Sequence, residues 1–353
     1  MVARRDKSPM TPRRAKILGA IVEEHVDTAA PVGSKAVRER YGVRASTATI
    51  RNEMNVLEQA GYVRQPHTSA GRVPEDKGYR TYVDRIMPHP QPTPHDMTWV
   101  RSEYRRAMSD TEQLFRTTCR VLAQLTAAPA LLLAPPRERI VLASLVLSPV
   151  STHIVRLGYE MQPGERFECL LESPGPLQAQ QVAMFAQALA RRYCGREIGA
   201  LSLCTPETLE DELAPFAVPS DLLDGIKSAV EKDRMQRVYI DGSAYALSYP
   251  EYQHIDQLRP LVEALDTDGV VRRLLRPASR SGRLTVTIGR EHEVRSLRQC
   301  SLVSLHYRAA GDAVGALGVL GPTRIDYQAA IAAVRCVTYQ IAEALAEDEA
   351  EED

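Results

Sequence analysis

The residue types best suited to chemistry with a partner are concentrated between Ser46 and Arg80. Ser46 offers a hydroxyl that can cap a helix, and Gly61 offers a stop for a helix running from Thr47 to Ala60. A helix turns about 100° per residue. Ile50, Met54 and Leu57 therefore share one face, and Ala48, Arg51, Asn52 and Asn55 share the opposite one. That second face is small, polar and basic, and it carries no acid. These types match the edges of base pairs in a major groove. An arginine fork fits guanine, an asparagine amide fits adenine, and Ala48 or the Thr47 methyl can touch a thymine methyl. Ser46 and Thr49 flank the same helix start.

A few residues on, Tyr62 to Pro74 reads as two short strand-like runs around a tip of small polar residues. Arg64, His67, Thr68, Ser69 and Arg72 could donate to phosphate oxygens or reach a minor groove, and Lys77, Arg80 and Arg85 extend the positive surface. A helical protein-interaction module with a basic hairpin would use the same residues. In that reading Arg51 and Asn52 are merely solvated and His67 merely occupies a turn. Charge partition favours a polyanion. Residues 1–85 hold 16 Lys and Arg against 10 Asp and Glu, net +6, whereas the remainder is net −7 in a chain of net −1.

The elements that must position these groups follow from the pattern around them. Ile17, Leu18, Ile21, Val22 and Val26 give a first helix an apolar face. Pro31-Val32-Gly33-Ser34 is a turn, with Ser34 as N-cap of a short helix to Arg40, and Tyr41-Gly42-Val43 stops it. Two short helices about a small-residue turn, followed by a hairpin, predict a winged helix-turn-helix over residues 1–86. Pro88, Pro90, Pro92 and Pro94 predict an extended linker and a domain boundary at 87–96.

A chain of 353 residues has room for two or three domains. Tyr104, Met108, Thr111, Phe115, Thr118, Leu122 and Leu125 place one stripe on a long helix over 97–127. Strands are predicted at 139–147, 152–159, 166–172, 237–240, 283–288, 301–307 and 313–320. Helices are predicted at 177–193, 206–214, 219–235, 255–266, 268–276 and 326–346, with a disordered acidic tail at 347–353. Strands 139–172 and 283–320 read as two halves of one antiparallel sheet, the mostly helical block between them being an insertion.

Several function classes are disfavoured. The six cysteines, at 119, 169, 194, 204, 300 and 336, form no CxxC, and no HExxH occurs. Reduced thiols in a cytoplasm are the expectation. No uninterrupted apolar run approaches the ~18–20 residues of a membrane span, and Met1–Lys7 has no apolar stretch behind its charges, so neither an integral membrane protein nor a secreted one is expected. Gly315, Gly318 and Gly321 lack the spacing of a nucleotide loop. With no nucleophile elbow, paired-carboxylate motif or metal cluster, an enzyme is not expected, nor a cofactor.

Some stretches are also familiar as a set. Pro31-Val32-Gly33-Ser34-Lys35, Ser46 to Met54, Gln65 to Pro74 and Lys77-Gly78-Tyr79-Arg80 resemble the heat-inducible transcription repressor family (HrcA). So do Val238 to Gly242, Leu258-Arg259-Pro260-Leu261, Cys300 to Val303 and Gly315 to Tyr327. The resemblance runs in order over nearly the whole chain. It is weak before Pro12, in the proline linker, over 174–234 and in the tail. It implies an α+β chain: an N-terminal winged helix-turn-helix, then a GAF-like antiparallel-sheet domain (97–172 and 251–346) carrying an inserted α/β dimerisation domain (173–250). It further implies a repressor of chaperone operons that binds an inverted-repeat double-stranded DNA operator as a homodimer and depends on the chaperonin. A ligand sensor, whose GAF-like domain binds a small molecule and whose winged helix is the output, is the competing expectation.

Overall fold

The computed structural model describes residues 10–88, 90–107, 111–135, 141–162, 165–213, 216–234, 236–308 and 314–352. The protein is α+β. It falls into two compact units, residues 1–134 with 238–353, and residues 135–237.

The first unit opens with α1 (Pro12–Thr28), begun by the Thr11 hydroxyl accepting from the Arg14 amide. Then come α2 (Ser34–Arg40) and α3 (Thr47–Gln59). Gly33, rather than Ser34, holds the N-cap position of α2. Strands β1 (Val63–Arg64) and β2 (Val73–Pro74) pair as an antiparallel hairpin, and a bridge between Val32 and Arg72 ties it back to the α1–α2 turn. α4 (Asp76–Thr81) runs directly into a π turn, Tyr82–Ile86.

The expected single helix over 97–127 is two helices, α5 (Pro94–Tyr104) and α6 (Thr111–Thr126). Met108 of the stripe lies outside the described residues. The stripe is buried partly against itself: the Tyr104 hydroxyl donates to Thr118 Oγ1 at 2.9 Å. The proline segment does not separate two cores. Tyr79 and Tyr82 before it, and Val100 and Tyr104 after it, belong to the same apolar cluster, and Arg335 donates to the Pro90 carbonyl.

After α6, strand β3 (Ala130–Leu133) enters a five-stranded antiparallel sheet. Every residue of β3 is buried. Ala130 and Leu132 face one apolar cluster, and Leu131 and Leu133 face another on the opposite side. Because both faces are covered, the run has no alternation to betray a strand.

The chain then leaves for the second unit. There β4 (Leu142–Pro149), β5 (Ile154–Met161) and β6 (Glu165–Glu172) form their own antiparallel sheet. Helices α7 (Ala179–Tyr193), α8 (Gly199–Ser202), α9 (Glu210–Leu213) and α10 (Ser220–Arg234) complete the unit. Its core joins Leu145, Leu157 and Tyr159 of the sheet to Phe185, Leu189, Leu222 and Ile226 of the helices.

The chain returns as β7 (Val238–Asp241), which pairs with β3. α11 (Ile255–Leu265), α12 (Asp268–Ser281), β8 (Thr285–Ile288), β9 (Cys300–Arg308), β10 (Val314–Pro322) and α13 (Tyr327–Glu352) finish the first unit. The sheet order is β7-β3-β10-β9-β8.

The expectation that 139–172 and 283–320 are halves of one sheet is therefore corrected. The strands that complete the second half are β3 and β7, and the compact inserted unit spans 135–237 rather than 173–250. The acidic segment expected to be disordered continues α13 as far as Glu352, consistent with its alanine and glutamate content. The part of α13 from Tyr327 to Ala346 is long and apolar enough to cross a membrane by composition, yet most of it is buried inside the protein. Gly315 is required by packing, because a Cβ there would strike the Tyr307 ring. All six cysteines are free thiols.

Candidate nucleic-acid interface

Helix α3 buries Ile50, Met54 and Leu57 and leaves Ala48, Arg51, Asn52 and Asn55 exposed, as the spacing predicts. Its start is fixed locally. Ser46 Oγ accepts from the Thr49 amide at 3.1 Å and lies 2.8 Å from Thr49 Oγ1. Both hydroxyls are thus engaged in the cap, and Thr47 is half-buried beside them.

Across from α3 stands the hairpin tip, with His67, Thr68 and Ser69 exposed. Gln65 builds this tip: its side-chain amide donates to the Thr68 and Ala70 carbonyls, each at 2.9 Å. Between helix and tip lies an open groove of about 620 Å3, lined among others by Lys35, Arg51, Asn55, Thr68, Ser69 and Arg72 and by no acidic residue. Lys35 was not among the expected contacts. Its place beside Ser34 in the Pro31–Lys35 turn motif was the available signal.

The other expected basic residues are placed differently. Arg72 is only 8% exposed. Its Nη2 donates to Asn55 Oδ1 at 2.8 Å and pairs with Glu58 at 2.9 Å, so it is a strut between hairpin and α3 rather than an open phosphate ligand. Arg64 is exposed but pairs with Glu75 at 2.9 Å. Lys77 lies 4.4 Å from the Tyr62 ring centroid and donates to the Ala60 carbonyl, closing the end of α3. Arg80 points away from the groove. Its fork takes both Glu291 oxygens, at 2.9 and 2.5 Å, and it also reaches Asp84 and the Val286 carbonyl.

The groove thus brings together Arg51, Asn55, Thr68 and Ser69, with Ala48, Asn52 and His67 exposed nearby in the chain. It excludes Arg80. Among the described residues no group of three or more His, Cys, Asp or Glu could hold a metal ion.

Taken together, the protein is an α+β chain whose N-terminal helix-and-hairpin module presents an acid-free, donor-rich groove. Residues 112–331 match the family described as the HrcA protein C-terminal domain. A heat-inducible transcription repressor HrcA from Moorella thermoacetica is 33% identical over 95% of this chain and 98% of its own length. The protein of the same name from Rhodococcus jostii is 35% identical over 95% of this chain and 98% of its own. A crystal structure described as that of a hypothetical protein matches 96% of this chain and 99% of its own with a TM-score of 0.60 and 23% identity, a likeness of fold alone. The chain belongs to the heat-inducible transcription repressor HrcA family.

Proposed function

We propose that this chain is a sequence-specific DNA-binding repressor of heat-shock chaperone operons. In this reading residues 10–86 are a winged helix-turn-helix with α3 as recognition helix and the β1–β2 hairpin as wing. The observation that carries the reading is the acid-free groove between the exposed α3 face and the hairpin tip. Arg51, Asn52, Asn55 and Ala48 read bases, with Thr47 beside them. Lys35, His67, Thr68 and Ser69 meet the backbone. Ser46, Thr49, Gln65 and Arg72 hold those groups in place.

One recognition helix reads few base pairs, and a two-fold dimer on an inverted repeat doubles the reading. We assign dimerisation to the inserted unit, with the GAF-like reading kept for the five-stranded sheet domain. The open face of the β4–β5–β6 sheet supports this. Val146 and Leu170 are 56% and 60% exposed there, and Val150 just beyond β4 is 52% exposed. Val146→Glu with Leu170→Glu is expected to turn the dimer into a monomer in sedimentation; an unchanged dimer would move the interface elsewhere.

Activity is maintained by the chaperonin. The fold supports this reading in one respect. β3 pairs with β7 and β10, and the whole of 135–237 intervenes between β3 and β7, so β3 joins the sheet only through distant contacts. Such topologies fold slowly and expose strands while they do so. A repressor that needs the chaperonin to reach its active state reports how much chaperonin is free. The test is operator binding before and after warming, with chaperonin and ATP added. The expected result is loss on warming and restoration by the chaperonin. Full recovery without it, unaffected by its addition, would remove this part of the proposal.

A further inference from the structure

The Lys77–Arg80 stretch leaves a question open: why should four residues beside the hairpin carry so much of their bonding away from the groove? The answer lies in how the N-terminal module is held on the sheet domain of its own unit. Five contacts join them. Asp76, the first residue of α4, accepts from the Arg290 amide at 2.9 Å, and about one helical turn further on Arg80 forks onto Glu291. Arg324, in the turn between β10 and α13, donates to the Val26 carbonyl near the end of α1 at 2.8 Å and pairs with Glu251. Tyr82 donates to Glu23 of α1 at 3.1 Å and accepts from Gln328 of α13 at 2.7 Å, while the Tyr79 and Tyr327 rings sit 5.8 Å apart.

The receiving surface is shaped for this. Gly289 has a φ of +54°, and a Cβ there would collide with the Asp76 carboxylate. Glu291 also accepts from the Ile288 amide, which orients it toward Arg80. Burial opposes its ionisation, but the Arg80 hydrogen bonds and that amide outweigh it and hold the carboxyl below its ordinary range. Bonds from α1, α4 and the π turn, reaching β8–β9 and α13, are too widely placed to act as a hinge.

We propose that Asp76, Arg80, Gly289 and Glu291 are positioning residues: they lock the orientation of the recognition helix on the sheet domain, so that the repressor measures the spacing between operator half-sites. This rests on the DNA-binding and dimer readings above. A rigidly mounted pair of modules can engage two half-sites together only at one separation, whereas loosely mounted modules tolerate several.

The experiment uses the full chain. The wild type selects its operator from a pool of random duplexes. The recovered inverted repeat is then tested at its own spacing, with five base pairs inserted at its centre, and as a single half-site. The variants are Arg80→Gln, Gly289→Ala and Glu291→Gln, with Glu291→Asp as the conservative control. The wild type is expected to prefer its own spacing on the order of 100-fold over the inserted one, the scale of avidity. Arg80→Gln, Gly289→Ala and Glu291→Gln should bring that preference within about tenfold while half-site affinity stays within about twofold, and Glu291→Asp should restore most of it. Circular dichroism confirms that each variant folds; should one not fold, the remaining variants carry the same comparison. Spacing preference unchanged in folded variants would overturn the clamp and leave the DNA-binding reading standing. A pool from which the wild type enriches no sequence would overturn both.

Discussion

Arg51 and Arg80 are arginines on successive stretches of one basic segment, and by composition they are interchangeable. In the folded protein they are opposites. Arg51 is exposed on the rim of a groove that no acid lines. Arg80 is half-buried, forked onto Glu291 and bound to Asp84 and to a backbone carbonyl. A positive charge available to a phosphate or a base is one whose own protein has not already neutralised it. The net charge of +6 over residues 1–85 therefore overstates the surface offered to a polyanion. Arg72 makes the same point from inside the groove, where it lines the wall and yet is bound to Glu58 and Asn55.

The comparison can be broken most forcefully at Arg51. Arg51→Ala should lose about 1–3 kcal/mol of specific operator binding while binding to random duplex falls much less. Equal losses on both would make Arg51 a phosphate contact. Arg72→Ala should act on the fold first. Removing a buried charged donor from Asn55 and Glu58 should cost about 1.5–3 kcal/mol of stability, seen as a lower denaturation midpoint, with operator affinity falling only as α3 and the hairpin lose their mutual position. A lower salt slope with unaltered stability would return Arg72 to the interface.

How much of this was legible beforehand differs between the two regions. The α3 faces were, because a thirteen-residue helix with three apolar residues on one side admits one orientation. The destinations of Arg72, Lys77 and Arg80 were not, because their partners Glu58, Ala60 and Glu291 are specified by tertiary proximity, and Glu291 is 211 residues away from Arg80. The sheet failed to appear for a related reason. β3 is four buried residues following Pro129, too short and too uniformly apolar to show a period, so the sequence pattern joins 139–172 to 283–320 in its place. The proline segment misled in the other direction. Proline fixes the backbone but says nothing of whether helices on either side share a core, and here they do.

Smaller effects sharpen the contrast. Lys35→Ala should weaken binding to every sequence and lower the slope of log K against log salt by about one, because one fewer counterion is released. Arg80→Gln should leave that slope unchanged. A drop of one for Arg80→Gln would contradict its assignment to the clamp.

The smallest expected effect concerns pH. His292, next to Glu291, is held below its ordinary value of 6.5 by burial, against the opposing Glu291 charge. His25 is lowered too, by burial above all, although its bond to the Ala30 carbonyl pulls the other way. A base whose folded value is depressed binds protons more readily when unfolded. Its contribution to stability is therefore complete above the unfolded value and is lost as pH falls from there through the folded one. The melting temperature should fall as pH drops below about 6.5, and His292→Gln should flatten that decline. A decline of the same steepness in His292→Gln would assign it to other groups.

Whether the α3 face and the hairpin tip read DNA is decided by hydroxyl-radical footprinting of the full chain on the promoter of a chaperone operon. The expected result is two protected patches on one face of the duplex, related as an inverted repeat and separated by one helical turn or a multiple of it, and their loss in Arg51→Ala at concentrations where the wild type protects fully. Uniform protection regardless of sequence, or an unchanged footprint in Arg51→Ala and Asn52→Ala, would contradict it.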